Sequence, residues 1–338
     1  MSAPVLSADA VKAIALESRF TLVGLAPAEA LDPGPLQAWL DAGYAADMDW
    51  MARRLPERLD PRAVLPDART VIALAIAYHR PPAEKAPIAR YARGRDYHYA
   101  HRDRMKALRK RLMGLDPTLE TYAAVDTGVA MEKVWAERAG LGWIGKNGCL
   151  INPRIGSWLT LSVMFMDRAV DGYDGPHDRR CGACTLCLGG CPTQAFPSPG
   201  VVDARRCISY QSIENRGAVP PELRPAFRDR IFGCDVCQEV CPWNHREQPA
   251  GDARFAPRPL AGLSPAEIAA LSPEDFDRLT AGMALARAQY DGLRRNALYA
   301  IGSAPDRSAR DLVQRLEHDP AEVVRDAARW ARDRLGEP

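Results

Sequence analysis

Residues 181–192 read CGACTLCLGGCP, and the spacing of their cysteines decides the reading of the whole chain. Cys181, Cys184 and Cys187 are each separated by two residues. Cys191 follows after three more, with Pro192 directly behind it. Two-cluster electron carriers use this run to hold [4Fe–4S] cubanes: three thiolates on a tight loop reach three irons of one cluster, and the fourth turns away to a second. Further on stand Cys207 and then GCDVCQEVCPWN, residues 233–244, which supplies Cys234, Cys237, Cys241 and Pro242. Crossing the two halves completes two sets of four with no ligand left over. One takes Cys181, Cys184, Cys187 and Cys241, the other Cys191, Cys207, Cys234 and Cys237. Zinc favours two separated Cys pairs, often with His, and this run does not fit two tetrahedral sites. Cys149 stands outside the scheme and reads as a small buried hydrophobe rather than a nucleophile.

Outward from this run the composition changes sharply. The first 148 residues contain no cysteine, and eight of the nine lie between Cys181 and Cys241. DGYDGPHDRR (171–180) reads as a loop before the module, and REQPAGDARFAPRPLAG (246–262) as a linker after it. The chain thus divides into residues 1–172, 173–247 and 248–338. In the first part helical and strand patterns alternate: helix 7–19, strand 21–25, helix 35–45, strand 70–78, helix 101–114, strand 120–125, helix 129–139, strand 158–166. That order predicts a mixed α/β or α+β domain. The middle part is a ferredoxin-like module for two [4Fe–4S] clusters. The last part reads as all helix. LRRNALYAIG (293–302) and EVVRDAARWARDRL (322–335) share an apolar, Arg-rich, Ala-rich pattern at helical period, in the manner of HEAT repeats.

At 338 residues, 47% hydrophobic and 26% charged, the chain has ample material for packed cores, which excludes wholesale disorder. A formal net charge of +2 is too small for a bulk polyanion trap. The longest apolar runs, Thr70 to Tyr78 and Trp158 to Met166, are about half of the ~20 residues a spanning helix needs. The opening MSAPVLSADAVKAIALESRF has neither a basic-then-apolar leader nor a twin-Arg signal, and Ser7 is placed to cap a helix. These features predict a cytoplasmic protein without membrane association, in which nine cysteines are not a disulfide framework.

A carrier alone would need far fewer residues, so an electron acceptor is expected within the chain, either a flavin or a cobalt corrinoid. GLGWIG (140–145) matches G-x-G-x-x-G by letter. It follows a helical pattern, whereas a dinucleotide fingerprint must follow a strand and open a helix.

Four blocks carry a family resemblance: VDTGVAMEKVWAERAGLGWIGKNGCLINPRIGSW (125–158), YARGRDYH (91–98), CISYQSIENRG (207–217) and GCDVCQEVCPWN (233–244). Together they resemble the signature of epoxyqueuosine reductases, and the likeness extends over essentially the whole chain. The resemblance implies a cytoplasmic iron–sulfur enzyme with cobalamin against its N-terminal domain, acting on tRNA that carries epoxyqueuosine at the wobble base. The epoxide is reduced to an alkene, with two electrons and two protons entering and the oxygen leaving as water. An external low-potential electron donor is implied. The alternatives are a corrinoid reductase of a small molecule, as in reductive dehalogenases, and an electron-transfer subunit.

Residue by residue, Asp126 follows the strand-like TYAAV and matches the family's proton donor. An acid kept neutral by an apolar corrin face could protonate the leaving oxygen. As a residue it could equally cap helix 129–139. The resemblance also places Arg58, Tyr97, His98, Lys146, Asn147, Ser157, Ser209, Gln211 and Asp235 near cobalamin or the incoming nucleoside. Arg294, Arg295 and Asn296 open a C-terminal helix of the kind the family lays against the anticodon stem-loop. Separately, residues 90–111 hold nine Lys or Arg against Asp96 and Asp103, interleaved with Tyr91, Tyr97 and Tyr99. Such a pattern suits phosphates and splayed bases, or simply a solvated helix face.

Overall fold

The computed structural model describes residues 4–79, 87–245, 251–304 and 307–336. Residues 246–250, the start of the expected linker, lie outside the described residues, as do the first three residues of the chain.

The N-terminal part contains α1 (Ala8–Glu17), β1 (Leu22–Pro27), α2 (Gly34–Asp41), α3 (Leu55–Leu59), β2 (Thr70–Ala77), α4 (Tyr97–Leu112), β3 (Thr121–Ala124), α5 (Glu132–Arg138), a short hairpin of β4 (Trp143–Ile144) and β5 (Leu150–Ile151), and β6 (Leu159–Met166). Strands β1, β2, β6 and β3 lie in that order in one sheet, and every pairing is antiparallel. β2 is buried along its full length, because both faces of the sheet are covered. Ile72, Leu74 and Ile76 point to the layer containing Val11 of α1 and Leu108 and Leu112 of α4. Val71, Ala73 and Ala75 point to the other, against Trp135 and Ala136 of α5. An unbroken apolar run is what a strand buried on both sides requires, and the small alanines make room for an indole.

Among the boundaries that differ from the expected ones, two bear on the site. The helix read as 101–114 starts at Tyr97, because the Asp96 side chain accepts the His98 N–H and caps it. Tyr97 and His98 therefore stand on the first helical turn. The helix read as 129–139 starts at Glu132 with Met131 at its cap position, so Asp126 is not its cap. The G-x-G-x-x-G stretch follows α5 and leads into the β4–β5 hairpin, which removes the dinucleotide reading.

The cysteine module carries α6 (Leu186–Gly190), α7 (Ile208–Ile213) and α8 (Val236–Glu239), linked mostly by loops. It docks through Trp143, Ile151, Trp243 and Cys241, with the two indoles edge to face at 4.9 Å. Gly156 makes the approach possible: its φ is +66°, and a Cβ there would lie 2.1 Å from Asn244 Oδ1.

The C-terminal part holds α9 (Pro265–Ala269), α10 (Pro273–Thr280), α11 (Tyr290–Ser303), α12 (Arg310–Leu316) and α13 (Glu322–Leu335). Its core does not stop at residue 248. Val219, Leu223, Phe227, Ile231 and Phe232 from the cysteine module, and Ile88 and Ala92 from the first part, pack into it with Leu293, Tyr299 and Val324. No helix among the described residues is long and apolar enough to cross a membrane.

Candidate functional site

Cys181, Cys184, Cys187 and Cys241 line one cavity together with Lys146, Ile151 and Trp243. It encloses about 410 Å³ of atom-free space, part of it open to solvent. Cys191, Cys207, Cys234 and Cys237 form a second group whose thiols interact electrostatically in a chain: Cys207 with Cys191, Cys234 with Cys207, and Cys237 with both Cys234 and Cys207. Cys241 thus lies with the three cysteines of the first run, while Cys191 lies near those that follow it in the chain. Burial pushes the Cys234 thiol up to about 12 and raises Cys187, Cys207 and Cys241. Thiols so disposed are poor nucleophiles at neutral pH; to bind iron as thiolates they must release their protons to solvent. Among the described residues no three Cys, His, Asp or Glu side chains converge on a single metal position. The four cysteines of the first group instead line a cavity, as a polynuclear cluster needs. The donor set fits [4Fe–4S] clusters.

Cys149 lies within hydrogen-bonding reach of Cys237, which lowers the Cys149 pKa and raises that of Cys237. Being the neighbour of a ligand was not legible from its isolated position in the sequence.

A second constellation lies past the end of β3. His98 Nδ1 is 2.7 Å from Asp96 Oδ1, and His98 Nε2 is 3.4 Å from Asp126 Oδ2. The latter distance makes an ion pair rather than a good hydrogen bond, and the buried Nε2 has no hydrogen-bond partner among the described residues. Tyr97 stacks on the imidazole at 4.3 Å. Burial opposes the charge on His98, but Asp126 and Asp96 outweigh it and raise its pKa to about 9. Crowding likewise works against ionisation of Asp126, and His98 and Tyr97 outweigh it, so this carboxylate is held below its ordinary range. Its side chain is 61% exposed, which favours the same ionised form. Without a ligand, the charges of the pair therefore favour a protonated His98 beside an ionised Asp126. Glu132 Oε1 accepts the Asp126 backbone N–H at 2.7 Å, and burial raises Glu132 to about 7. Glu132 was not anticipated as a site residue.

The other expected contacts divide differently. Arg58 is buried and turns inward, donating from Nε to the Arg53 carbonyl and from Nη2 to the Trp50 carbonyl. Lys146 Nζ donates to the carbonyls of Gly182 and Cys184. Asn147 Nδ2 donates to the Cys237 carbonyl. Ser157 Oγ bonds Gln238 and receives Asn244 Nδ2. Gln211 is buried and donates to the Arg205 carbonyl. Ser209 neighbours Cys207 and lowers its pKa through hydrogen bonding. Asp235 is buried, accepts the Arg90 N–H at 2.8 Å and is pushed up to about 6 by burial. Lys146, Asn147, Ser157 and Asp235 thus brace the cysteine loops against the first domain, whereas Tyr97, His98 and Asp126 form the open polar corner. The corner and the second cysteine group are neighbours: Tyr91 feels the charges of both Asp126 and Asp235.

Arg294, Arg295 and Asn296, expected to touch tRNA, are corrected outright. They are 6%, 0% and 0% exposed. Arg294 bonds the Ala269 carbonyl and Asp319. Arg295 spans the carbonyls of Asn215, Gly217 and Gln211. Asn296 Nδ2 donates to the carbonyls of Ser212 and Ile231. Arg295 and Asn296 weld α11 to the cysteine module, and Arg294 ties it to its own helical neighbours.

Two cysteine quartets, with a carboxylate–imidazole pair near the second, are the equipment of an iron–sulfur oxidoreductase. A family model described as 4Fe-4S double cluster binding domain matches residues 180–244, and one described as epoxyqueuosine reductase QueG matches residues 58–127. The epoxyqueuosine reductase of Gloeobacter violaceus is 43% identical over 320 residues, covering 90% of this chain and 98% of the relative. That of Pseudomonas aeruginosa is 39% identical over 348 residues, covering 99% and 96%. A solved epoxyqueuosine reductase bound to an epoxyqueuosine-modified tRNA-Tyr stem loop superposes with a TM-score of 0.91 at 28% identity, covering 98% of this chain and 90% of that one. A Bacillus subtilis epoxyqueuosine reductase with the same score, identity and coverage was solved with its catalytic aspartate loop swung out of the active site. The chain belongs to the epoxyqueuosine reductase family.

Proposed function

We propose that this enzyme reduces epoxyqueuosine to queuosine at the wobble position of tRNA, in the cytoplasm, using cobalamin and two [4Fe–4S] clusters supplied by an external low-potential donor. The observation that carries the reading is the Asp126–His98 pair, set near the Asp235 loop of the second cysteine group. When bound, the cofactors supply two low-potential electrons. The protein must then supply protons and position: epoxide plus two electrons and two protons gives alkene plus water. Opening the epoxide puts negative charge on its oxygen, a poor leaving group until protonated. His98 holds a proton to about pH 9, and Asp126 beside it is the group through which that proton reaches the oxygen. The orphaned His98 Nε2 fits a polar group arriving at this corner. Tyr97, His98 and Asp126 would face the corrin and nucleoside. Arg58, Lys146, Asn147, Ser157, Ser209, Gln211 and Asp235 support that pocket from behind.

In this reading residues 1–172 are the cobalamin domain, 173–247 the two-cluster domain, and 248–338 a HEAT-like part of the tRNA platform. With Arg294, Arg295 and Asn296 buried, phosphate contacts fall to exposed cations, of which α4 presents a row: Arg102, Lys106, Arg109 and Lys110.

The test is Asp126→Asn in anaerobically prepared holoenzyme. Cluster content, corrinoid and tRNA affinity are expected unchanged, while queuosine formation, read by nucleoside mass spectrometry, falls by at least about a hundredfold. Turnover near the wild-type rate would remove Asp126 from the chemistry.

A further inference from the structure

We infer that Glu132 is a positioning residue that latches the Asp126 loop in its working conformation by accepting the Asp126 backbone N–H. The inference rests on the reading of Asp126 as proton donor and deepens it. The loop between β3 and α5 places Asp126 at φ +53°, in the left-handed region that favours glycine. Thr127 N–H closes back on the Val125 carbonyl at 2.6 Å, so the turn is tight. Two residues on, Gly128 allows the chain to pass β3, where a Cβ would come within 2.6 Å of Ala124 Cβ. An aspartate in this conformation needs something to hold it there.

Glu132 is placed to do so. It opens α5, whose Trp135 and Ala136 are buried against the sheet, so the carboxylate stands on a fixed element. Its 2.7 Å bond ties the Asp126 backbone across the loop to that helix. The same backbone setting directs the Asp126 carboxylate to His98, on the separately anchored first turn of α4. Glu132 is also costly where it sits: burial raises its pKa, with Asp126 adding like-charge repulsion. A carboxylate kept in such a place argues for a task in the loop. The task has an evident counterpart, since a relative's catalytic aspartate loop is known in a swung-out position. A loop with two positions needs a contact that exists in only one of them.

The test compares Glu132→Ala and Glu132→Gln with wild-type holoenzyme. The glutamine keeps an acceptor oxygen at the same reach; the alanine has none. In Glu132→Ala, hydrogen–deuterium exchange at the Asp126 amide is expected to quicken by about tenfold or more, with peptides of α5 beyond its first turn unchanged. The kcat on epoxyqueuosine tRNA falls by about tenfold while KM for the tRNA holds. Glu132→Gln restores most of both. The latch is overturned if exchange at Asp126 is unaltered in the alanine variant. It is also overturned if the glutamine variant is as impaired as the alanine one, or if all of α5 exchanges faster, because Glu132 would then serve the helix start. Exchange needs no turnover, so a wild-type protein inactive on epoxyqueuosine tRNA would sink the functional reading while this comparison still decides the latch.

Discussion

His98 is the residue whose protonation state sets what the polar corner can do. Its pKa is raised from 6.5 to about 9, so the contribution of the charged imidazole is complete below the ordinary value and disappears as pH rises through about 9. Asp126 is shifted the other way: its share is complete above the ordinary 3.8 and disappears as pH falls below it. The pair is therefore intact from weakly acidic to weakly alkaline pH. Turnover with excess reductant is expected to fall along an alkaline limb centred near pH 9, and His98→Gln should abolish that limb along with most of the rate. A pH–rate profile in which the limb persists in His98→Gln would assign it elsewhere. The position of Asp126 at a strand end was legible in TYAAVD, because strand pattern and chain order are local properties. Its partners were not. The 3.4 Å approach to His98 depends on α4 beginning at Tyr97, which a cap at Asp96 decides.

α4 shows at the scale of an element why charge in a sequence does not by itself identify a binding surface. Of the nine cations in residues 90–111, Arg104 is buried and paired with Asp252, and Arg111 is paired with Glu17. Arg102 and Lys106 are exposed, with Arg95 and Arg102 flanking the Tyr99 ring at 5.0 and 4.8 Å. A helix alternates faces every few residues, and only its packing partners decide which face is spent. The same rule overturns the expectation for α11, where Arg294, Arg295 and Asn296, laid against the anticodon stem-loop by the family resemblance, form a buried clamp. The double variant Arg102→Ala with Lys106→Ala is expected to weaken tRNA binding and to lower the slope of log affinity against log salt by roughly 1 to 2, leaving the melting temperature alone. Arg295→Ala should do the reverse. It strips the buried carbonyls of Asn215 and Gln211, and that of Gly217, of their donor and costs about 3 kcal/mol of stability, seen by denaturant titration. Equal salt slopes for the double variant and wild type would exclude the α4 face.

Across the whole molecule, the two cysteine runs were the most legible feature, because ligand spacing within a loop is a local constraint and the count closes at eight. The all-antiparallel sheet and the core that joins residues 219–232 to the helices were not legible, since strand order and inter-element packing are set by distant segments. Crossing the runs also has a consequence for assembly. Cys241 lies 50 residues and more beyond Cys181, Cys184 and Cys187, yet lines their cavity, while its neighbours Cys234 and Cys237 belong to the other quartet. The first quartet can close only when both ends of the 181–241 segment are brought together, so closing that site is coupled to loading it with iron. Cys241→Ala is accordingly expected to disable the cluster of the first run, leaving about four irons of roughly eight. The remaining cluster should keep the spectroscopic signature it has in wild type, as read by electron paramagnetic resonance after reduction. The complementary Cys191→Ala should spare the cluster that Cys241→Ala loses. If Cys241→Ala instead altered the signature assigned to Cys207, Cys234 and Cys237 and left the other intact, each run would hold its own cluster and the crossed arrangement would be wrong.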